Sequence, residues 1–184
     1  MSSGSTGAGS DPAAMLYLKK AGAEDGEAAY RFFSELPAEE NGFTNEYRGL
    51  SREEFLRTAL PEMMNQDRGI GLPPGFVPAT SYFLWEDDRL VGLFRLRHTL
   101  NQTLREGAGH IGYSIAPEYR GKGYATRGLG LLVELAGAVV REEELWLSVR
   151  RENAASLAVQ RKNGAYLHHA DQENYYTRIP LRKA

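Results

Sequence analysis

Strand-like and helix-like segments alternate along the 184 residues, and that alternation predicts an α/β fold built on one mixed sheet. Two further observations support it. The helical stretches carry apolar residues at three- and four-residue spacing, and the strand-like ones are short, aromatic and β-branched between turn residues. The sheet is expected to hold about six or seven strands flanked by about four helices. No internal repeat and no second domain interrupt the pattern.

The opening "MSSGSTGAGSDP" is rich in Gly and Ser. It is expected to be a disordered leader or cloning scar over 1–12, with the folded domain over 13–184. "MLYLKK" then forms a first strand. "EDGEAAYRFFSEL" is helical, with Ala28, Phe32 and Leu36 at helical spacing, and "NGFTNEYRGL" is a turn-rich connection. Ser51 followed by Glu54 is a capping box that opens "REEFLRTALPEMMNQ". Phe55, Ala59 and the Met63/Met64 pair share one face of that helix, and Pro61 is expected to kink or split it. "GIGLPPGFVP" holds too much Gly and Pro to be anything but loop.

"TSYFLWE" and "RLVGLFRLRH", joined by "DD", read as an antiparallel hairpin. "NQTLREGAG" is a loop and "HIGYSIAP" a strand stopped by Pro117. A helix begins near Gly123 and runs through "LGLLVELAGAVV". "ELWLSV" is a strand, and "ENAASLAVQRKNG" a short helix closed by Gly164. The strands "AYLHHA" and "NYYTRIPL" end the chain.

Composition narrows the function. Net charge is −2, so nothing global points to nucleic acid or an anionic membrane surface. No apolar run is long enough for a bilayer. There is no cysteine, which removes disulfides, thiolate metal sites and cysteine nucleophiles and is compatible with a cytoplasmic location. His168 and His169 are neighbours on a strand and are expected to face opposite sides, so no metal site is expected.

"APEYRGKGYATRGLGLLVEL" is where the chemistry concentrates. A strand, a Gly-rich loop and a helix start present unpaired N–H groups to an anion, with the helix dipole behind them. A Walker A loop fails because Leu129 stands where the lysine belongs, and a dinucleotide fingerprint is weak because Thr126 replaces the packing glycine. Arg120-Gly121-Lys122-Gly123-Tyr124-Ala125 instead matches [QR]-x-x-G-x-[GA]. With "HIGYSIAPEYRGKGYAT" and "RENAASLAVQRKNGA" it resembles the GNAT superfamily of acetyl-CoA-dependent N-acetyltransferases over roughly the C-terminal half of the chain. "LFRLRHTLNQTLREGAGHIGY" is similar to a bacterial subgroup with no agreed acceptor.

The resemblance implies a single GNAT-type domain with acetyl-CoA as co-substrate. Backbone N–H groups from Gly121 to Thr126 would cradle the pyrophosphate, with Arg120, Lys122 and Arg127 near its charge. Tyr113, Ser114 and Ile115 would lie beside the pantetheine arm, and Asn153 and Ser156 would meet it from the other side; Asn153 also suits a helix cap. The acetyl group would move to a primary amine, on a small molecule or a peptide N-terminus, by direct attack. A backbone N–H near Ser114 or Ile115 would stabilise the oxyanion. His110 is the first candidate for the general base, with a strand-end histidine bonded to backbone as the rival reading. Gln160 stands where many relatives carry the tyrosine that protonates the thiolate, so a non-catalytic acyl-CoA sensor is the alternative; Tyr166 lies near in sequence. Dimers are common for this fold, and a homodimer stays open.

For the acceptor, Arg95 and Arg97 share a strand face, with His98 opposite and Asn101 just beyond. Two arginines on one face suggest a carboxylate or phosphate on the acceptor, against the plainer reading of a solvent-facing edge. Phe43, Tyr47, Phe76 and Tyr82 either line the pocket or fill the core.

Overall fold

The computed structural model describes residues 13–183, so the leader over 1–12 lies outside the described residues. Leu16–Lys20 (β1), Ala79–Glu86 (β4), Arg89–Arg97 (β5) and Ile111–Ile115 (β6) form an antiparallel ladder in the order β1-β4-β5-β6. Glu144–Arg150 (β7), Asn174–Pro180 (β9) and Tyr166–Ala170 (β8) form a second antiparallel ladder, ordered β7-β9-β8. The α/β class stands, with the expected sheet drawn as two ladders. They touch at an isolated bridge between Gly109 and Leu147, where His110 N–H donates to the Trp146 carbonyl at 2.7 Å. Beyond this bridge β6 and β7 are unpaired with each other, which leaves an opening between the ladders.

Both faces of the first ladder are covered, which is why β4 is buried along nearly its whole length. Phe83 and Leu93 meet Phe32 and Phe33 from Gly26–Glu35 (α1), Leu36 that caps it, and Phe55, Leu60 and Met63 from the helical run over 52–66. On the opposite face Tyr82, Leu84 and Phe94 meet Leu129 and Leu132 of Tyr124–Ala136 (α5). Each such fully buried Phe or Leu contributes about 1.5–3 kcal/mol. Gly128 permits the close approach of α5, because a Cβ there would lie 2.5 Å from the Phe94 ring.

Local details refine the expected elements. The Ser51/Glu54 capping box forms and opens Arg52–Glu54 (α2). Pro61 does not break the helix, since the preceding turn, Phe55–Ala59, widens to π geometry before Leu60–Gln66 (α3) continues. The connection after α1 contains a small hairpin, Glu39–Glu40 (β2) with Phe43–Thr44 (β3). Asn41 and Gly42 turn it with φ of 51° and 83°. The expected loop "NQTLREGAG" holds a short helix, Gln102–Glu106 (α4), and Ala154–Lys162 (α6) follows β7.

Candidate active site

Between the diverging strands lies a cleft of about 820 Å³, bounded by β6, β7, the start of α5 and α6 at one end and by the β2–β3 hairpin, the helix end near Met63 and β5 at the other. That size suits a ligand-binding cleft.

One end is built from backbone. Gly121 and Gly123 adopt φ of 72° and 83°, which side-chain-bearing residues reach only with strain. A Cβ at either would meet nothing within 4 Å, so these glycines serve the chain direction and leave open space in front of it. No side chain caps α5, and its first turn closes with Arg127 N–H on the Gly123 carbonyl. Among the described residues no protein group accepts from the N–H groups of Gly121 to Thr126. Successive free donors at a helix N-terminus make an anion cradle.

The expected side chains there divide into two sets. Arg120, Gly121, Gly123, Tyr124, Ala125, Thr126, Asn153 and Ser156 border the cleft, as do Tyr113, Ser114 and Ile115. Lys122 does not; its ammonium sits 5.7 Å from the Tyr119 ring centre. Arg120 is committed elsewhere, donating from Nε to the Ile115 carbonyl at 2.9 Å and pairing with Glu40 at 2.6 Å. It ties the loop to the sheet and the hairpin. Tyr124 sends its hydroxyl to Glu86 at 2.6 Å. Asn153 caps α6, its Oδ1 accepting from Ser156 N–H at 3.1 Å. The Ser156 hydroxyl meets that of Tyr113 at 2.6 Å, joining β6 to α6 across the cleft.

Of the two backbone N–H groups expected near an oxyanion, at Ser114 and Ile115, only one faces the opening. Arg97 N–H donates to the His110 carbonyl and Ala116 N–H to Val91, so even-numbered residues of β6 turn their backbone groups toward β5. Antiparallel pairing alternates, and Ser114 N–H is therefore spent on β5. The N–H groups of Tyr113 and Ile115 point the other way, toward the opening.

His110 is not placed to act as a base. It is fully buried and does not border the cleft. Its Nδ1 accepts from Trp146 N–H at 2.9 Å, which puts the proton on Nε2 for donation to Glu142 Oε2 at 3.0 Å. Burial pushes its pKa down, only partly opposed by Glu142. These contacts match those of a strand-end histidine bonded to backbone, at the point where the two ladders meet.

The other end of the cleft is built from side chains of distant segments. Phe43, Tyr47 and Phe76 border it, whereas Tyr82 is core. Burial pushes the Tyr47 hydroxyl up to about 12. Arg95 and Arg97 both face this space. His98 lies on the far face against Thr80 at 2.7 Å. Asn101 does not border the cleft; its Oδ1 caps α4 at 3.0 Å from Leu104 N–H, and its amide donates to the Gly75 carbonyl. Glu46 carried no signal of its own in the sequence. Glu46 is an exposed carboxylate at this end, and Gln160 reaches the cleft wall while accepting from the Thr177 hydroxyl at 2.6 Å. Tyr166 is remote, exposed and bonded to Glu144 at 2.7 Å.

His168 and His169 do not separate to opposite sides. A register shift in β8 brings their Nδ1 atoms to 2.8 Å. Among the described residues no group of three or more His, Cys, Asp or Glu is arranged to hold a metal ion, and no helix is long and apolar enough to cross a membrane.

No curated protein matches the sequence. Solved structures match over nearly the whole chain. A ribosomal L7/L12 alpha-N-protein acetyltransferase, RimL, solved with coenzyme A, is 18% identical with a TM-score of 0.67, covering 90% of this chain and 94% of its own. A spermidine N-acetyltransferase chimera of Vibrio cholerae SpeG and hSSAT is 18% identical at 0.60, covering 90% and 95%. RimJ of Mycobacterium smegmatis, solved with a coenzyme A disulfide, is 18% identical at 0.63, covering 90% and 81%. Alongside this likeness of fold, the model of the acetyltransferase (GNAT) domain matches residues 10–166, and the chain, with its donor cradle at a helix start between two splayed ladders, belongs to that family of acyltransferases.

Proposed function

We propose that the protein is an N-acetyltransferase that uses acetyl-CoA and acetylates a primary amine, with residues 13–184 as the working unit. The observation that carries this reading is the run of unpartnered N–H groups from Gly121 to Thr126, facing open space beside a free strand edge. Those donors would hold the pyrophosphate, and the outward backbone groups of Tyr113 would hold the pantetheine. RimL and RimJ, solved with coenzyme A and its disulfide, support the same donor.

Bound there, the co-substrate supplies an acetyl thioester as electrophile. Glu46 is the carboxylate bordering the acceptor end that is not engaged in an ion pair, since Glu40 is held by Arg120. It takes the proton that the acceptor ammonium must lose before its nitrogen can attack the thioester, directly or through one water. The Ile115 N–H donates to the carbonyl oxygen as charge develops on it. Tyr113 donates a hydrogen bond toward the leaving sulfur. Burial raises its pKa, so it stays protonated and stabilises the thiolate by donation, with the proton finally drawn from water.

The test is release of free thiol from acetyl-CoA over a panel of amines, read with acetylated product by mass. Turnover of at least one amine is expected. Saturable coenzyme A binding with no thiol release for any amine would instead establish the sensor reading, which Gln160 at the usual tyrosine position favours.

A further inference from the structure

Arg95 and Arg97 face the acceptor end of the cleft from β5. Antiparallel pairing places Arg95 opposite Gly112 and Ser81, so the absence of a side chain at Gly112 leaves room above the guanidinium. Arg95 donates to Gln66 Oε1 at 2.7 Å, and its Nε is buried with no partner. Arg97 donates to the Gly109 carbonyl at 3.1 Å. Among the described residues neither guanidinium has a carboxylate within 4.0 Å.

Nearby cleft charges are otherwise engaged: Arg120 with Glu40, and Arg150 with Glu39 at 4.0 Å. Glu46 faces the same space without reaching either arginine. Two half-buried cations side by side are costly, because burial and mutual repulsion both disfavour charge. The effect shows at Arg97, whose pKa falls to about 10 through burial and the Arg95 charge. A pair that stays unneutralised inside a cleft is a receptor for an anion supplied from outside, and planar guanidinium matches carboxylate or phosphate oxygens in pairs.

We propose that the acceptor is an amine that also carries a carboxylate or a phosphate-type group, bound by Arg95 and Arg97 so that its ammonium points back toward Glu46. This rests on the acetyltransferase reading of the same cleft and names its substrate class. The arrangement selects against di- and polyamines, because a second ammonium would sit against two guanidinium groups.

The experiment compares matched amines: ω-amino carboxylates and aminoalkyl phosphonates, the neutral alkylamines of equal length, and diamines. For the wild type, kcat/KM is expected to be at least about 10²-fold higher for the anionic members, the size of one or two charge-assisted hydrogen-bond pairs. Arg95→Gln and Arg97→Gln each reduce that preference about tenfold through KM, Arg95→Lys retains part of it, and coenzyme A affinity stays at the wild-type value. Equal turnover of neutral amines or diamines, or a preference untouched in both variants, overturns the proposal. Binding of the same amines to the coenzyme A-loaded protein by calorimetry is the second readout. Selective binding of anionic amines, lost in the arginine variants, supports the site even if no thiol is released; equal binding of neutral and anionic amines removes it whatever the turnover.

Discussion

The two ends of the cleft are made in opposite ways. The donor end is one continuous segment whose unpartnered backbone N–H groups face open space, while the acceptor end is a set of side chains from the β2–β3 hairpin and the turn after it, β5 and the residues after α3. A backbone site tolerates many side chains and depends on chain direction. A side-chain site depends on which distant residues the fold brings together. One therefore breaks through φ and charge, the other through single functional groups.

Gly123→Asp should break the donor end most severely. It imposes a side chain at a φ of 83° and puts a carboxylate in front of free N–H groups, so coenzyme A affinity should fall by more than about 10²-fold. Gly123→Ala separates the two effects, since open space surrounds a Cβ there and only strain of about 1–3 kcal/mol remains. Near-wild-type affinity in the Asp variant, measured by calorimetry, would contradict the cradle.

Glu46→Gln tests the acceptor end. It should lower kcat by about 10²-fold or more near neutral pH with coenzyme A affinity intact. The deficit should shrink as pH rises and more of the amine is already free base. A uniform deficit across pH would assign Glu46 to positioning.

The smallest expected effect lies outside the cleft, at His110, where the two ladders meet. Its folded pKa is below the unfolded value near 6.5, so the unfolded chain binds more protons on acidification. Stability is therefore full above about pH 6.5 and is lost as pH falls through the depressed folded value. Melting at pH 7.5 and 5.5 should show a drop of a few degrees in the wild type beyond that of His110→Gln, which is itself less stable at pH 7.5. A larger acid-induced loss in the variant would exclude His110 as the source.

This contrast also explains what could be read in the sequence. The donor loop was legible because Gly121 and Gly123 mark backbone conformation directly, and Ser51 with Glu54 likewise marked a helix start. Glu46 was not, because it sits in a turn where a carboxylate is unremarkable, and it shares a cleft only once Arg95 and Arg97 arrive from β5. His110 misled because its partner Glu142 lies 32 residues away. Asn101 looked like a pocket residue and is a cap, a role decided by Leu104 N–H three positions on. The faces of β5 followed from strand periodicity, but the same rule failed at His168 and His169, where a bulge breaks the period. The Asn41-Gly42 pair did carry a hairpin signal, overlooked because its strands are two residues long.

The unpaired outer edge of β6 has a further consequence. A strand edge with free N–H and C=O groups is a template for another chain, and here it lies inside the molecule for want of a neighbour. The ligand-free protein is in effect an unfinished sheet, and coenzyme A would complete it. Saturating ligand should therefore stabilise the fold by about 2.7 kcal/mol at one hundred times Kd and so raise the melting temperature, and should suppress self-association on storage, so that solubility becomes a property of the bound state.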